Sequence, residues 1–341
     1  MMARVGTNPS RGKKVEVEPP RVTVAVLVYE PDQTGYFQNR LDVTKLTLQS
    51  ILKNTEKPYE FLVFDNGSCS EMTAYLRQLQ SEGLIDTLIL SKQNIGKLNA
   101  LWRIANLAQG DLIAYSDDDV YHLPGWLPKH LQVFDNFPGV GAVTGFYIKQ
   151  RVVMSSDKTL AWVEEFEKQN PTHVQRGNLI PRKWEEEYMD NSGRTEERYQ
   201  GEIAGVDDIV VEHNGVKAWV SAHHFQVMTP KKVLLEVLSE MLENGWSDQM
   251  MGRMVELDDR MDDKGYLRLT TYEQTMRLLG NAIDEEVKAL AASQGISTTA
   301  AIALQDQVKN GGFWSNRLVS SLAQRLINWL YLRLHQNERS S

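Results

Sequence analysis

The chain has 341 residues, of which 42% are hydrophobic and 24% charged, a composition typical of a globular protein with a buried core. Its 37 Lys and Arg residues against 45 Asp and Glu residues give a formal net charge of −8. This balance disfavours general binding to nucleic acid, because phosphate contacts dominate that affinity. The single cysteine, Cys69, excludes a disulfide within the chain. With no signal peptide and no run of roughly 18 apolar residues, we expect a cytoplasmic protein.

Predicted strands and helices alternate in the first part of the chain. Residues 1–20 are predicted to be a disordered arm, and the continuous β-branched run at 22–28 is typical of a strand buried on both faces. Further strands are predicted at 59–64, 87–90 and 111–115, with helices at 41–53, 70–82 and 97–108. This rhythm predicts an α/β fold with a doubly wound, mainly parallel sheet flanked by helices.

The second half is less regular. The sequence predicts a helix at 162–169, a polar loop at 190–202, strands at 217–220 and 224–228, and helices at 231–243 and 250–264. Beyond Asn281 we expect a helical C-terminal extension whose last helix spans 313–335. That helix is apolar and carries only basic charges. It is expected to pack within the chain or in a homodimer, or alternatively to contact an anionic membrane surface.

The most informative motif is Asp117-Asp118-Asp119, the acidic triplet, which follows the fourth predicted strand. Adjacent carboxylates repel one another unless a cation neutralises them. Alternation along an extended chain places Asp117 and Asp119 on one side and Asp118 on the other. We therefore predict that Asp117 and Asp119 hold Mn²⁺ or Mg²⁺, with a diphosphate completing the shell. A solvated acidic turn is the alternative, but parallel sheets bind ligands beyond the carboxyl ends of their strands.

Polar clusters also follow the other predicted strands, at Tyr29-Glu30, Asp65-Asn66 and residues 94–99. The carboxylate of Asp65 suits either a hydrogen bond from a nucleobase or a turn. In the third cluster, Lys97 offers a charge to phosphate, and the N-terminus of the following helix favours anions. The glycine-rich fingerprints of dinucleotide-binding and P-loop proteins do not occur, which disfavours both classes.

Taken together, these segments resemble glycosyltransferase family 2, the inverting enzymes of the GT-A fold. The resemblance covers about residues 21–281 and lies in the order of the four clusters, including the DxD motif at the acidic triplet. It implies transfer of a sugar from a nucleotide-diphosphate sugar to an acceptor hydroxyl with inversion, assisted by Mn²⁺ or Mg²⁺. It also implies donor binding by Tyr29, Glu30, Asp65, Asn94, Lys97, Asp117 and Asp118.

The resemblance extends to the second half, where it places the catalytic general base at Asp248, with Ser247 in place of the family's usual Glu. We expect Asp248 at the N-terminus of a helix, whose dipole would keep it ionised, or alternatively as the cap of that helix. The family's late histidine near the metal has no equivalent at 271–281. The candidates for a third metal ligand are His213, His223 and His224.

The resemblance divides the chain into the arm at 1–20, a nucleotide-sugar-binding half at 21–150, an acceptor-binding and catalytic half at 151–280, and the extension at 281–341. Three tryptophans either stack on sugar faces or belong to the core: Trp162, Trp184 and Trp219. Two other functions stay open, a nucleotidyltransferase of similar sheet architecture and a non-catalytic nucleotide-sugar-binding protein. The first is disfavoured because Tyr29-Glu30-Pro31-Asp32 stands where a basic glycine-rich loop is expected.

Overall fold

The computed structural model describes residues 10–14, 16, 18–242 and 245–297. Its strands are β1 (Val22–Val28), β2 (Glu60–Asp65), β3 (Thr87–Leu90), β4 (Leu112–Asp117), β5 (Val120–His122), β6 (Val140–Thr144), β7 (Val174–Gly177), β8 (Asp208–His213), β9 (Val216–Val220), β10 (Gln226–Pro230), β11 (Leu267–Thr271) and β12 (Met276–Leu278). Its helices are α1 (Arg40–Asn54), α2 (Ser70–Ser81), α3 (Lys97–Leu107), α4 (Trp126–Asn136), α5 (Asp157–Gln169), α6 (Arg182–Ser192), α7 (Glu196–Glu202), α8 (Lys231–Met241), α9 (Met254–Asp263) and α10 (Glu285–Ser293).

A ten-stranded sheet organises these elements in the order β3-β2-β1-β4-β10-β6-β11-β9-β8-β7. The first four strands in this order are parallel, as expected for strands joined by helical crossovers. β10 enters antiparallel beside β4, β6 and β11 form a parallel pair, and β7 to β9 are antiparallel. β5 and β12 form a separate small sheet. The predicted α/β class is confirmed.

Helices cover both faces of the parallel strands. In β1, Val24 and Val26 belong to a core cluster with side chains of α1 and α2. The intervening Ala25 and Leu27 belong to a second cluster with α3 and α8. All seven residues of β1 are buried, which is why its sequence is a continuous apolar run instead of an alternating one. This doubly wound arrangement brings the carboxyl ends of β1, β2 and β4 to one edge.

The predicted loop at 190–202 is wrong, because α6 continues to Ser192 and α7 follows almost at once. Gly193 ends α6 with a left-handed φ of 62°, which glycine adopts without strain. The hydroxyl of Thr195 then caps α7 by accepting a hydrogen bond from the Arg198 N–H. An Arg198–Glu202 ion pair of 2.7 Å, four residues apart, supports this short helix. The polar composition therefore belongs to solvated helices.

Two other sequence expectations concern the ends of the chain. The first nine residues of the predicted arm and the predicted helix at 313–335 lie outside the described residues. Of the predicted extension, α10 is described. Among the described helices, none combines the length and apolar character needed to cross a bilayer.

Candidate active site

A cleft of about 430 Å³, here called the first cleft, opens beyond the carboxyl ends of β1, β2 and β4. Its wall carries the acidic triplet, two cationic side chains, two amides and several apolar side chains. Five of the predicted donor-binding residues line it: Tyr29, Asn94, Lys97, Asp117 and Asp118. The strand-end clusters of the sequence are thus brought together at one site.

The three carboxylates of the triplet differ in exposure. The side chains of Asp117 and Asp119 are 22% and 30% exposed, whereas that of Asp118 is 8% exposed. Asp118 accepts a hydrogen bond of 3.1 Å from the backbone N–H of Tyr29. This division agrees with the alternation predicted for an extended segment. Asp117 and Asp119 are therefore the two carboxylates available to a ligand.

Cations of the chain itself are paired with the triplet. Lys97 Nζ lies 2.7 Å from Oδ1 of Asp117, which also accepts a hydrogen bond from the hydroxyl of Tyr115. Arg40, a residue that the sequence analysis missed, contacts Asp118 and lies 2.8 Å from Oδ2 of Asp119. Burial disfavours the charge on Arg40, but the two carboxylates outweigh burial and raise its pKa. These pairs keep a buried acidic cluster together.

Burial is also the largest influence on the carboxyls of the triplet. It raises the pKa of Asp118 to about 6, with Arg40 opposing the rise and Asp119 adding to it. Burial raises the pKa of Asp119 as well, again against the influence of Arg40. For both carboxyls, burial therefore outweighs the stabilisation that Arg40 gives to the charged form.

The oxygen atoms of Asp117 and Asp119 suit a divalent cation. Hard carboxylate ligands fit Mn²⁺ and Mg²⁺, and Mg²⁺ sites often use one or two carboxylates together with substrate phosphates and water. Among the described residues, no group of three or more His, Cys, Asp or Glu side chains is arranged to hold a metal. A cation held by Asp117 and Asp119 would thus take its remaining ligands from a bound molecule or from water.

The loops after β2 and β3 are linked by their amides. Asn66 donates from Nδ2 to Oδ1 of Asn94 at 3.0 Å, and its own Oδ1 accepts from the Ile95 N–H at 2.9 Å. Gly67 has a φ of +90°, and a Cβ there would lie 2.7 Å from the backbone nitrogen of Asn94. The close approach of the two loops therefore requires glycine at this position. Asn66, which also lines the first cleft, was not among the predicted site residues.

Two predicted donor-binding carboxylates lie beneath the cleft surface. Asp65 is 2% exposed and accepts hydrogen bonds from the Ser68 N–H at 2.9 Å and the Thr73 hydroxyl at 3.1 Å, as a turn carboxylate does. Contact with a nucleobase would require it to exchange one of these bonds. Glu30 is fully buried, and neither of its carboxyl oxygens has a hydrogen-bond partner within the described part of the chain. Burial, followed by the charge of Asp118, raises the pKa of Glu30 to about 7.

A loop over residues 245–252 borders the first cleft. The carbonyl of Met250 accepts a 2.8 Å hydrogen bond from the Lys97 N–H, which attaches the loop to the start of α3. The side chain of Asn99 strengthens the attachment, because its Nδ2 donates a hydrogen bond to the Ser247 carbonyl at 2.7 Å and its Oδ1 accepts one from the Ser247 N–H at 2.9 Å. Met250 and Met251 contribute side chains to the cleft wall.

Asp248 lies on this same loop but is exposed and belongs to the wall of neither cleft described here. The expectation that Asp248 stands at a helix N-terminus or caps the helix is wrong, because α9 begins at Met254 with Arg253 as its N-cap residue. The helix predicted at 250–264 therefore begins later than expected, because Gly252, at a φ of 71°, lies outside it and α9 starts only at Met254. A role for Asp248 as a base stays a prediction.

A second cleft of about 290 Å³ shares Asp117 and Asp119 with the first. Its opposite wall is formed by the end of α6 and the turn after it, through Tyr188, Asn191, Ser192 and Arg194. Phe225, Leu278 and Gly280 complete the lining. The guanidinium of Arg194 lies 5.0 Å from the ring centre of Tyr188 and pairs with Glu202 at 2.9 Å. The second cleft thus offers a cation, an amide and a hydroxyl on the far side of the triplet.

None of the three candidate histidines lines either cleft. His213 packs against Phe137 and Phe166. His223 is fully buried, and burial lowers its pKa well below the usual range. His224 directs Nδ1 to Asp258 at a distance of 2.7 Å. A third metal ligand among them therefore stays without support.

The three candidate tryptophans pack with other aromatic side chains. Trp162 stacks on Phe166 with ring centres 5.1 Å apart, and Trp184 contacts Trp219 edge to face. Trp219 is 3% exposed. The described contacts favour the interpretation that these residues belong to the core.

Comparisons with known proteins give matches to glycosyltransferases. Solved structures that resemble the chain include the mannosyltransferase PcManGT from Pyrobaculum calidifontis in complex with GDP-Man and Mn²⁺, with 23% identity, a TM-score of 0.33, and coverage of 43% of this chain and 44% of that one. Another is glucosyl-3-phosphoglycerate synthase from Mycobacterium tuberculosis in complex with Mn²⁺, UDP and glucosyl-3-phosphoglycerate, with 14% identity, a TM-score of 0.39, and coverage of 87% and 88%.

The sequence comparisons each match part of the chain. Residues 37–184 match the family model of glycosyl transferase family 2. Over 127 residues the chain is 28% identical to glucosyl-dolichyl phosphate glucuronosyltransferase from Haloferax volcanii. That match covers 37% of this chain and 37% of the relative's length. Both matches are to glycosyltransferase sequences.

Proposed function

We propose that this chain is a glycosyltransferase that binds a nucleotide-diphosphate sugar in the first cleft and a hydroxyl acceptor in the second. The observation that carries this proposal is that Asp117 and Asp119 form part of the wall of both clefts. A group transfer needs two substrates held in contact at one reaction centre, because fixed proximity removes much of the entropic barrier. Two clefts that meet at a pair of partly exposed carboxylates satisfy this requirement.

The first cleft suits the nucleotide. Tyr29, Tyr36 and Phe37 offer aromatic faces to a base, and the amides of Asn66 and Asn94 offer donors and acceptors. Lys97 stands at the start of α3 and lines the first cleft, where its ammonium group favours a phosphate. The identity of the base follows from none of these contacts, since each group accepts more than one hydrogen-bond pattern.

Asp117 and Asp119 would hold Mn²⁺ or Mg²⁺, in keeping with their hard oxygen ligands and partial exposure. When bound, the ion supplies Lewis-acid stabilisation of the charge on the departing nucleoside diphosphate. The chain's own part is to hold both carboxylates at the end of β4, where Lys97 and the Tyr115 hydroxyl fix Asp117.

The transfer itself is proposed to invert the configuration at the sugar's anomeric carbon. The acceptor oxygen forms a bond to that carbon as the bond to the diphosphate oxygen breaks, and the hydroxyl proton passes to a carboxylate. By resemblance that carboxylate is Asp248; its side chain is exposed and lines neither cleft, so the assignment rests on the resemblance alone. A single displacement of this kind needs no covalent nucleophile on the protein.

The experiment that tests the proposal measures products directly. UDP- and GDP-sugars are incubated with the protein and Mn²⁺, with and without candidate acceptors, after a thermal-shift screen of nucleoside diphosphates has identified the preferred base. A glycosyltransferase releases nucleoside diphosphate, slowly through donor hydrolysis and faster with an acceptor. The Asp117→Asn, Asp119→Asn double variant is the matched control for this release.

A parallel assay with a nucleoside triphosphate and a sugar 1-phosphate separates the two alternatives. A nucleotidyltransferase would release pyrophosphate from a nucleoside triphosphate and a sugar 1-phosphate, and a binding protein would release neither product. Pyrophosphate release, or ligand binding without any turnover by the wild-type chain, overturns the proposal.

A further inference from the structure

We propose that Arg40 is an internal counter-ion of the acidic triplet, which competes with a divalent cation for Asp119 and moves to the donor's diphosphate when the cation binds. The counter-ion role stands on the ion pairs of Arg40, and the move to the diphosphate rests on the proposed function. Arg40 would then couple cation binding to diphosphate binding.

Arg40 is buried beside the acidic triplet. It is the first residue of α1, and its side chain is 8% exposed. One guanidinium nitrogen contacts Asp118, and the other lies 2.8 Å from Asp119 Oδ2 and 3.1 Å from the carbonyl of Gly280. Arg40 also belongs to the wall of the first cleft. A buried guanidinium is thus held by the same carboxylate that the cation would bind.

The two cations paired with the triplet do not balance its three negative charges. Asp117 is paired with Lys97, while Asp118 and Asp119 share Arg40. Three carboxylates are therefore paired with two cations of the described chain, which leaves one formal negative charge. This residual charge attracts a cation, but Arg40 holds an oxygen of one of its two predicted ligands. A cation alone should consequently bind weakly.

A bound diphosphate would offer the Arg40 guanidinium new hydrogen-bond acceptors. A cation that takes Asp119 Oδ2 displaces one nitrogen of Arg40, which keeps Asp118 but loses its second carboxylate, and the loss of an ion pair is costly for a buried guanidinium. Phosphate oxygens are the best replacement, since guanidinium binds them through two parallel hydrogen bonds. The cation and the diphosphate should therefore each strengthen the binding of the other, and by linkage the two effects are equal in size.

The test counts bound Mn²⁺ by electron paramagnetic resonance and requires no sugar transfer. For the wild-type chain we expect Mn²⁺ alone to bind weakly. Saturating UDP or GDP should tighten the binding of Mn²⁺ to the protein by a factor of about 5 to 150, after the Mn²⁺ bound by free nucleotide has been subtracted. In Arg40→Gln, Mn²⁺ alone should bind about tenfold more tightly, and the coupling factor should fall to the part that direct coordination of the ion by the diphosphate supplies. Arg40→Lys keeps the positive charge but not the planar pair of donor nitrogens, so its Mn²⁺ affinity and its coupling factor should lie between those of the wild type and Arg40→Gln.

Arg21→Gln is the matched control, because it removes the same charge from an exposed pair with Asp135 at the opposite end of β1. An equal gain in Mn²⁺ affinity in both Gln variants would reduce the effect to net charge and overturn the inference. Absence of coupling in the wild-type chain would overturn it even if Arg40→Gln does not fold. Tighter Mn²⁺ binding in Arg40→Gln, in a chain that transfers no sugar, would support the counter-ion role while refuting the proposed function.

Discussion

The ammonium group of Lys97 lies 2.7 Å from Oδ1 of Asp117, and this ion pair joins the start of α3 to the end of β4. Both groups line the first cleft, so the pair stands where the proposed diphosphate binds. We predict that Lys97→Met weakens binding of the preferred nucleoside diphosphate by about ten- to a hundredfold, the range expected for a charge-assisted hydrogen bond. Binding of the corresponding nucleoside should not change.

Isothermal titration calorimetry checks this prediction. Lys57→Met is the matched control, because it removes a lysine from an exposed 2.8 Å pair with Asp86, away from the cleft. If nucleoside and diphosphate lose affinity equally in Lys97→Met, Lys97 supports the shape of the cleft and does not bind phosphate.

The second prediction concerns the metal. Asp119→Ala should abolish the part of nucleotide binding that depends on Mn²⁺ or Mg²⁺, because it removes one of two available carboxylate ligands. Titrations with and without EDTA measure this part, and Asp135→Ala, an exposed carboxylate paired with Arg21, serves as the control. Equal affinity of the wild-type chain in the presence and absence of EDTA would refute the metal requirement.

The parallel strands and the first cleft were predictable because their causes are local. A strand buried on both faces must be apolar throughout, and β1 at Val22–Val28 coincides with the predicted run. The polar clusters then had to meet, since carboxyl ends of parallel strands share one edge. The strand pattern alone therefore predicts that Tyr29, Lys97 and Asp117 lie together.

The remaining parts of the site depend on contacts that sequence spacing does not show. Arg40 is separated from Asp118 and Asp119 by 78 and 79 positions, and a single arginine at a helix start carries no motif. Acceptor binding was expected in the half at 151–280, but the residues of the second cleft were not identified, because the segment 190–202 was predicted as a loop. Its polar residues form solvated helix surface, which composition alone does not distinguish from a loop.

The third prediction concerns the second cleft. Arg194→Gln should raise the KM for the acceptor about tenfold or more, while donor affinity and donor hydrolysis stay unchanged, because Arg194 lines the second cleft and not the first. Arg198→Gln is a close control, since Arg198 pairs with the same Glu202 at 2.7 Å but lies outside the cleft. A parallel loss of donor affinity would mean that the two clefts are not separate binding sites.

The fourth prediction follows from the burial of Glu30, which raises its pKa to about 7. In the unfolded chain this carboxyl ionises near its ordinary value of 4.5. The stability that the protonated form contributes is therefore complete below that value and is lost as the pH rises from 4.5 through 7. Glu30→Gln cannot ionise, so it should be spared a loss on the order of 1–3 kcal/mol over this interval.

Urea unfolding of the two chains at pH 5 and pH 8 measures this difference. Relative to the wild type, Glu30→Gln should gain stability at the higher pH, whereas Glu82→Gln on the surface of the molecule should not. A constant difference between Glu30→Gln and wild type at both pH values would show that Glu30 titrates normally.

The last prediction concerns Asp248, the expected general base. The structure removes the helix-cap alternative, because α9 begins at Met254, six positions later in the chain. Asp248→Asn keeps the size of the side chain but cannot accept the acceptor's proton. We therefore expect turnover to fall by about two orders of magnitude or more, with donor affinity unchanged. Since Asp248 is exposed and no cap is lost, the free energy of unfolding should also be unchanged. Ser247→Ala on the same loop is the control for local disturbance. Sugar transfer by Asp248→Asn at close to the wild-type rate would assign the base elsewhere, and His224, held by Asp258 at 2.7 Å, is then the side chain to replace.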